Sequence, residues 1–333
     1  MKPTYQIWLD GKNITDAWLP YVRSITVSDK ADKKTADSCV ITLSDPGAEL
    51  EMPETGRQLE VYLGYDGDNV PASKRVQSVG KFIVDTVGVA GPPTTMSING
   101  KSAAFAASGE MNLAYIQTKK NRTHPTTTIG ELYKKVAGEN GLTSEVDPAF
   151  ASISLGSVQQ TNETDTNLLK RIADQYGGTY KIADNRLMMV KPGNSTTGAA
   201  SAKFSLSLSD VTSWARVISK APQYKSCVAH YHDLEQGAPV EVTAGSGEPV
   251  MRLRSPYVDA ATAQAAAQAV VDTARKDGVT FAARMPGRPD LFAGGRADLS
   301  GFPYGLGGQW ELTEVNHSLS TSGLTTDISS RPI

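Results

Sequence analysis

Thr128-Ile129-Gly130-Glu131-Leu132-Tyr133-Lys134-Lys135-Val136-Ala137 is the stretch whose reading decides the fold. Thr128-x-x-Glu131 is a capping box. The Thr hydroxyl can accept from the backbone N–H of Glu131, while the Glu carboxylate reaches back to the N–H of Thr128. Ile129, Leu132, Tyr133, Val136 and Ala137 fall at i, i+3, i+4, i+7 and i+8, a single buried stripe. Asn140-Gly141 supplies a left-handed stop. A second helix is expected over Thr166–Tyr176, burying Leu168, Leu169, Ile172, Ala173 and Tyr176 and ending at Gly177-Gly178. The segment between the two helices reads as a polar connection. A hairpin is expected next, Thr179–Ile182 with Arg186–Val190 around Asp184-Asn185.

Working outward, both flanks carry strand patterns. Before the island, Tyr5, Ile7 and Leu9 alternate with mostly polar neighbours, and Asp10-Gly11 is a hairpin turn signal. Ile25 and Val27, then Cys39, Ile41 and Leu43, then Leu59, Val61 and Leu63 repeat the period of two. Phe82 and Val84, followed by Val87 and Val89, imply a strand with a local break, and Met96 and Ile98 mark a last one. About six short strands without a long helix between them read as an antiparallel barrel or sandwich. After the island comes a Gly/Ser/Thr/Ala linker, Asn194–Ala202. Strand patterns resume at Phe204–Leu208, Tyr224–Tyr231, Val240–Val242, Thr280–Met285, Gly294–Leu299, Trp310–Leu319 and Leu324–Ile328. One Ala-rich helix, Ala260–Lys276, interrupts them, with Asp259 as its N-cap.

Composition narrows the function classes. The 333 residues exceed what one core usually organises, so two or three domains are expected. Apolar residues at 39% and charged residues at 20% suit a globular chain, and no run approaches the roughly 18 apolar residues of a membrane-spanning helix. The start, Met1-Lys2-Pro3-Thr4-Tyr5-Gln6, lacks the apolar core of a signal peptide, so Sec export is not expected. With 33 basic and 35 acidic residues, a specific nucleic-acid partner is not expected, since that needs a clustered basic face. The two cysteines, Cys39 and Cys227, read as reduced core thiols.

The search for chemistry is short. Cys227, His230, His232 and Asp233 invite a metal reading, but the two His share one face of a strand, Cys227 points to the other, and no second ligand cluster accompanies them. His124 and His317 are isolated. Gly287-Arg288-Pro289 and Gly305-Leu306-Gly307-Gly308 do not follow a strand to open a helix, so they lack the context of a phosphate cradle. Lys119-Lys120-Asn121-Arg122 reads as a solvated basic loop, with an acidic partner as the functional alternative. Asp29–Asp37 and Asp66–Ser78 read as hairpin tips or assembly contacts. No catalytic, cofactor-binding or metal-binding residue is assigned, and paired glycosidase carboxylates converge only in the fold. Asp165-Thr166-x-Leu168-x-x-x-Ile172-Ala173-x-x-Tyr176-Gly177 resembles the first helix of a LysM peptidoglycan-binding module. LysM continues with a second helix, whereas Gly177 here leads into a strand.

Several segments in order carry a broader resemblance. Thr127-Thr128-Ile129-Gly130-Glu131-Leu132 leads to Asn140-Gly141-Leu142. Gln159-Gln160-Thr161-Asn162-Glu163-Thr164-Asp165 leads to Leu168-Leu169-Lys170-Arg171-Ile172-Ala173. Met285-Pro286-Gly287-Arg288-Pro289-Asp290-Leu291-Phe292-Ala293-Gly294 follows, then Gly308-Gln309-Trp310, Val315-Asn316-His317-Ser318-Leu319 and Gly323-Leu324-Thr325-Thr326. Ala36-Asp37-Ser38 to Asp45, and Gly80-Lys81-Phe82-Ile83-Val84-Asp85, fit as well. Together they resemble the late-control protein D family, baseplate hubs of contractile phage tails related to the N-terminal part of VgrG spike proteins.

The expected fold is α+β, mostly β. Two antiparallel β-barrel domains, 1–103 and 196–333, flank a small α/β domain at 104–195, and the last carries the Ala-rich helix at about 259–277. The resemblance implies a homotrimer without enzymatic activity, whose two similar barrels make a pseudo-sixfold ring. Its implied partners are the sixfold tail tube, a trimeric spike and a tape-measure protein in the axial channel. The implied place is the baseplate of a virion assembled in the bacterial cytoplasm. Edge strands of both barrels and the Asp66–Ser78 loop are the expected interfaces, with no cofactor. A tail-associated peptidoglycan-binding or cell-wall hydrolase component is the alternative.

Overall fold

The computed structural model describes residues 1–31, 37–101, 118–183, 186–191, 202–219, 224–233, 237–276 and 278–333. Strand β1 (Lys2–Leu9) turns through Asp10 and Gly11, at φ of 48° and 75°, into β2 (Lys12–Asn13). Two successive left-handed residues match the twist of a tight hairpin, which is why Asp-Gly sits there. Helix α1 (Thr15–Trp18) and strands β3 (Val22–Lys30), β4 (Ser38–Ser44), β5 (Gln58–Asp66), β6 (Gln77–Ala90) and β7 (Thr95–Lys101) follow. The apolar residues of the period-two reading, from Ile7 to Ile98, line one core, except Val89, which is exposed. The break between Val84 and Val87 is a register shift between Val84 and Thr86 within one continuous strand, a β-bulge. The Asp29–Asp37 stretch lies largely outside the described residues.

The middle of the chain runs β8 (Lys120–Thr128), α2 (Ile129–Glu139), β9 (Thr143–Val146), α3 (Pro148–Ala151), β10 (Ser154–Glu163), α4 (Asp165–Gln175), β11 (Thr179–Ala183) and β12 (Arg186–Val190). The capping box of α2 is formed. Glu131 N donates to Thr128 Oγ1 at 3.2 Å, and Thr128 N donates to Glu131 Oε2 at 2.9 Å. The buried residues of α2 are the five of the predicted stripe. Helix α4 buries Leu168, Leu169, Ile172 and Ala173 as expected, and Gly177 at φ 71° turns the chain into the β11–β12 hairpin. Asp184-Asn185 lies outside the described residues. The polar connection needs correction: it is β9, α3 and β10. Strand β10 buries only Val158 and Gln160, so its hydrophobic pattern is too sparse to read.

The last part runs β13 (Lys203–Ser207), β14 (Ser213–Ile218), β15 (Ser226–Asp233), β16 (Ala238–Gly245), β17 (Val250–Arg252), α5 (Ala260–Lys276), β18 (Val279–Pro286), β19 (Arg296–Ser300), β20 (Gly308–Ser320) and β21 (Gly323–Pro332). The helix has the predicted bounds, and Asp259 Oδ1 accepts from Thr262 N at 2.8 Å.

The chain is mostly β, and it packs as two compact units that cut it differently from three successive segments. The first gathers Met1–Ala103, Ala202–Ala215 and Phe281–Ser330; the second holds Ala104–Ser201, Arg216–Thr280 and Arg331–Ile333. The physical reason is one long strand. The first half of β20 pairs with β19, and its second half pairs antiparallel with β3 through Glu314↔Lys30 to Leu319↔Ile25. The C-terminal strands thereby extend the N-terminal sheet, giving the order β14-β18-β21-β20-β3-β4-β7-β6-β5-β1-β2, with β19 and β13 branching from β20. Leu319 and Leu324 join the core of the N-terminal strands. Among the described residues no sheet closes on itself. In the second unit β8 pairs with β10, β9 lies parallel to β12, and β15 is flanked by β16 and β17. Helix α5 lays Ala263, Ala267 and Val271 against Cys227, Ala229 and Ala244 of that last sheet.

Candidate functional site

The motifs that looked most diagnostic fold into two buried polar nodes, one in each unit. In the second unit β8 brings Lys120 and Arg122, the C-terminal end of α2 brings Glu139 and Asn140, β10 brings Gln160, and Asp165 opens α4. Asp165 is fully buried and its carboxylate accepts four hydrogen bonds. The donors are Lys120 Nζ at 2.5 Å, Arg122 Nη2 at 2.8 Å, Gln160 Nε2 at 2.9 Å and Asn140 Nδ2 at 3.2 Å. Arg122 also binds Glu139 Oε2 at 2.6 Å and Gln160 Oε1 at 2.7 Å. Burial pushes the Asp165 carboxyl up, but the bonds from Lys120, Gln160 and Asn140 outweigh it and hold it below the usual carboxylate range. The basic run is therefore not a solvated loop. Lys120 and Arg122 sit in a strand as internal counter-charges, because a buried carboxylate needs full compensation.

His124 lies beside this node, 1% exposed, with Nε2 3.3 Å from Gln160 Oε1. Gln160 Oε1 is an acceptor, so Nε2 carries the proton. Burial lowers the imidazole pKa; the Gln160 bond opposes this, Arg122 and Lys135 add to the lowering, and Glu139 opposes it.

In the first unit the node is built on Pro286–Gly294. Gly287 N donates to Leu324 O at 2.9 Å and to Tyr65 Oη at 3.1 Å, and Tyr65 Oη donates to Leu324 O at 3.2 Å. A β-carbon on Gly287 would stand 2.4 Å from Leu324 Cγ, so this approach requires glycine. Arg288 closes a bidentate pair on Asp290, with both bonds at 2.8 Å, and its backbone N–H reaches Thr326 Oγ1 at 2.9 Å. His317, 2% exposed, completes the node. Its Nδ1 lies 3.0 Å from Thr326 Oγ1 and its Nε2 lies 3.2 Å from Leu291 O. The carbonyl can only accept, so Nε2 carries the proton and the Thr326 hydroxyl donates to Nδ1. Ala293 N donates to Asp29 Oδ2 at 2.8 Å. Burial lowers the His317 pKa, opposed by the Leu291 bond, Asp29 and Asp290. Tyr65 and Asp29 come from N-terminal strands and the rest from C-terminal ones, so this node stitches the two halves of the large sheet.

The remaining candidates fall elsewhere. Cys227 is buried under α5, and burial pushes its thiol up; His232 is exposed on the opposite face of β15. No cluster of three or more His, Cys, Asp or Glu side chains placed to hold a metal occurs among the described residues. Gly305–Gly308 forms the turn into β20, with Gly305 and Gly308 at positive φ. The buried Asp45 accepts from Glu49 N and Leu50 N within a local turn, while Asp147 accepts from Ala149 N at the start of α3 and from Lys191 N after β12. The Asp66–Ser78 loop folds back on itself: Val70 is buried, and Arg75 Nε donates to Val70 O at 3.3 Å. Sequence reasoning missed Asp165, Gln160 and Tyr65 as members of a node. The signal available was a lone acidic residue at the first turn of a helix, in a motif that also contains Gln and Glu.

What the two nodes do is hold architecture. Residues 111–323 match the family model described as phage tail baseplate hub (GPD). The chain belongs to the phage tail baseplate hub family. It is 27% identical to the probable baseplate hub protein of Escherichia phage P2, over 98% of this chain and 92% of that one. Its fold is similar to the 43 kDa tail protein of prophage MuSo2 from Shewanella oneidensis, at a TM-score of 0.71 and 14% identity, covering 99% of this chain and 98% of that one. It is also similar to an E. coli type VI secretion component, whose own structural similarity is to the T4 tail proteins gp27 and gp5. There the TM-score is 0.55 at 10% identity, covering all of this chain and 77% of that one. As a baseplate hub the chain is a structural component of the phage virion.

Proposed function

We propose that this hub is a non-enzymatic homotrimer that adapts the sixfold tail tube to a trimeric spike around an axial channel. The observation that carries the reading is the β20–β3 pairing. It joins an N-terminal and a C-terminal strand group into one sheet, and in this reading the two groups act as similar, laterally linked β-modules. Three copies then present six modules to a sixfold ring above while keeping a threefold axis below. The two modules are the incipient barrels of this reading, 1–103 and the C-terminal strands, with 104–195 as a bracing domain. The tail tube, the spike and a tape-measure segment within the channel are its partners, and the sheet edges and the Asp66–Ser78 loop are its contact elements.

Light scattering on the purified chain at about 20 µM tests it: three chain masses are expected, through interfaces above roughly 2,000 Å². A persistent monomer overturns the trimer. Clearing of peptidoglycan in a zymogram overturns the absence of enzymatic activity.

A further inference from the structure

Strand β15 carries two of the four histidines of the chain, and neither belongs to a buried node. The face of its sheet that holds Cys227 and Ala229 is covered by α5. Side chains alternate along a strand, so Val228, His230 and His232 stand together on the other face. His232 is exposed and His230 is half-buried. Among the described residues neither imidazole forms a hydrogen bond or an ion pair. Two positions along one face of a strand place side chains about 7 Å apart at their roots, within reach of a single ion for two imidazole rings.

The neighbouring strand adds a third donor. The register sets Glu241 opposite His230 and Pro239 opposite His232. Val228 O accepts from Leu253 N and His230 O from Tyr257 N, both at 2.9 Å, so these residues turn their backbone groups away from β16. His230 and Glu241 therefore form a non-hydrogen-bonded pair, the kind in which Cα atoms approach to about 4.5 Å and side chains lie closest. Pro239 sets no long side chain over His232. In this structure Glu241 Oε1 accepts from Arg252 Nη1 at 2.8 Å. Both side chains of that pair are more than half exposed, and a surface ion pair of this kind is worth little. A divalent cation held by the two rings competes for the carboxylate with a stronger charge than the guanidinium.

The geometry points to a metal site on the open face of β15, in which His230 and His232 chelate one divalent transition-metal ion and Glu241 leaves Arg252 to become the third ligand. Two imidazole nitrogens and one carboxylate oxygen suit Zn²⁺, Ni²⁺ or Cu²⁺ rather than Mg²⁺ or Ca²⁺, which take oxygen ligands. The ion bridges β15 and β16, so its binding adds to the stability of that sheet. All three ligands belong to one chain, and the site is independent of the trimeric reading.

The test is calorimetric titration of the full chain, without an affinity tag, with NiCl₂ at about pH 7.5, where ligand imidazoles are free to bind metal. One site per chain is expected. The other two histidines, His124 and His317, are 1% and 2% exposed, so no further imidazole is in reach of the ion. His232→Ala alters an exposed side chain and is expected to weaken binding at least tenfold, because the chelate is lost. His230→Ala is expected to do the same. Arg252→Gln releases Glu241 and should tighten binding about threefold, while Glu241→Gln should weaken it by a similar factor. MgCl₂ in place of NiCl₂ should give no site. Absence of binding up to about 1 mM Ni²⁺, or equal affinity in the natural chain and the folded His232→Ala variant, overturns the site. Unchanged affinity in both Arg252→Gln and Glu241→Gln overturns Glu241 as a ligand.

Discussion

In the second unit a buried carboxylate, Asp165, faces two full positive charges, Lys120 and Arg122. In the first unit a buried imidazole, His317, faces a hydroxyl and a carbonyl, with the Arg288–Asp290 pair completed beside it. Both nodes tie strands that are distant in sequence, and the chemistry of each decides how it can fail. A buried ion set is worth little against an apolar replacement of the whole set, yet removing one member strands a charge. A neutral node loses only the partner removed, but it packs its backbone so closely that added volume is its weakness.

The largest effect is expected where the ionic node is broken. Asp165→Ala takes from Lys120 and Arg122 the buried carboxylate they share, while Glu139 stays on Arg122. A destabilisation of about 3 kcal/mol is expected by denaturant titration, since breaking a buried pair costs that order. Asp165→Asn keeps the shape and part of the bonding, and should cost less. If the two variants are equal and within about 0.5 kcal/mol of the natural chain, the node does not carry the stability assigned to it.

The neutral node is expected to give a smaller loss. Thr326→Val keeps the volume but leaves Arg288 N–H and His317 Nδ1 without their partner, at a cost of about 1–3 kcal/mol. Gly287→Ala should cost a similar amount by a different route, because its new methyl meets Leu324 at 2.4 Å. A double-mutant cycle between Thr326→Val and Asp165→Asn should be additive, since the two residues share no partner. Coupling above about 0.5 kcal/mol would show that the nodes are not independent.

The same contrast explains what the sequence discloses. Apolar periodicity exposes the long strands from Ile7 to Ile98, though not the polar β2, and the full buried stripe of α2, because burial writes itself as spacing. The caps of α2 and α5 are legible from Thr128-x-x-Glu131 and Asp259, since capping is local. Strand β10 is not legible, because its buried positions include Gln160, whose burial makes sense only beside Arg122 and Asp165. The division into units is illegible for a related reason. The β3–β20 pairing joins residues nearly three hundred positions apart, and no local pattern records register between them. The motifs that carry the resemblance contain Gln160, Asp165, Arg288 and His317, but nothing in them marks these residues as members of buried nodes.

The finest separation of the two nodes is by pH, where single protons rather than whole bonds are at stake. His124 and His317 both have pKa values lowered in the folded chain from the usual 6.5, chiefly by burial. The unfolded chain therefore binds protons first as pH falls, so stability declines from about pH 6.5 downward toward each folded value. Asp165 behaves in a lower window. Its folded pKa lies below the usual 3.8, so its contribution is complete above that value and is lost as pH falls through the folded one. Replacing His317 by Gln, which can still donate to Leu291 O, should flatten the decline between pH 7 and 5 while leaving the acid limb near pH 3 unchanged. Asp165→Asn should do the reverse. His124→Gln should likewise flatten the upper decline, since burial lowers both imidazoles. A decline between pH 7 and 5 left unchanged by both variants, in unfolding titrations at pH 5, 6 and 7, would mean that neither buried histidine carries it.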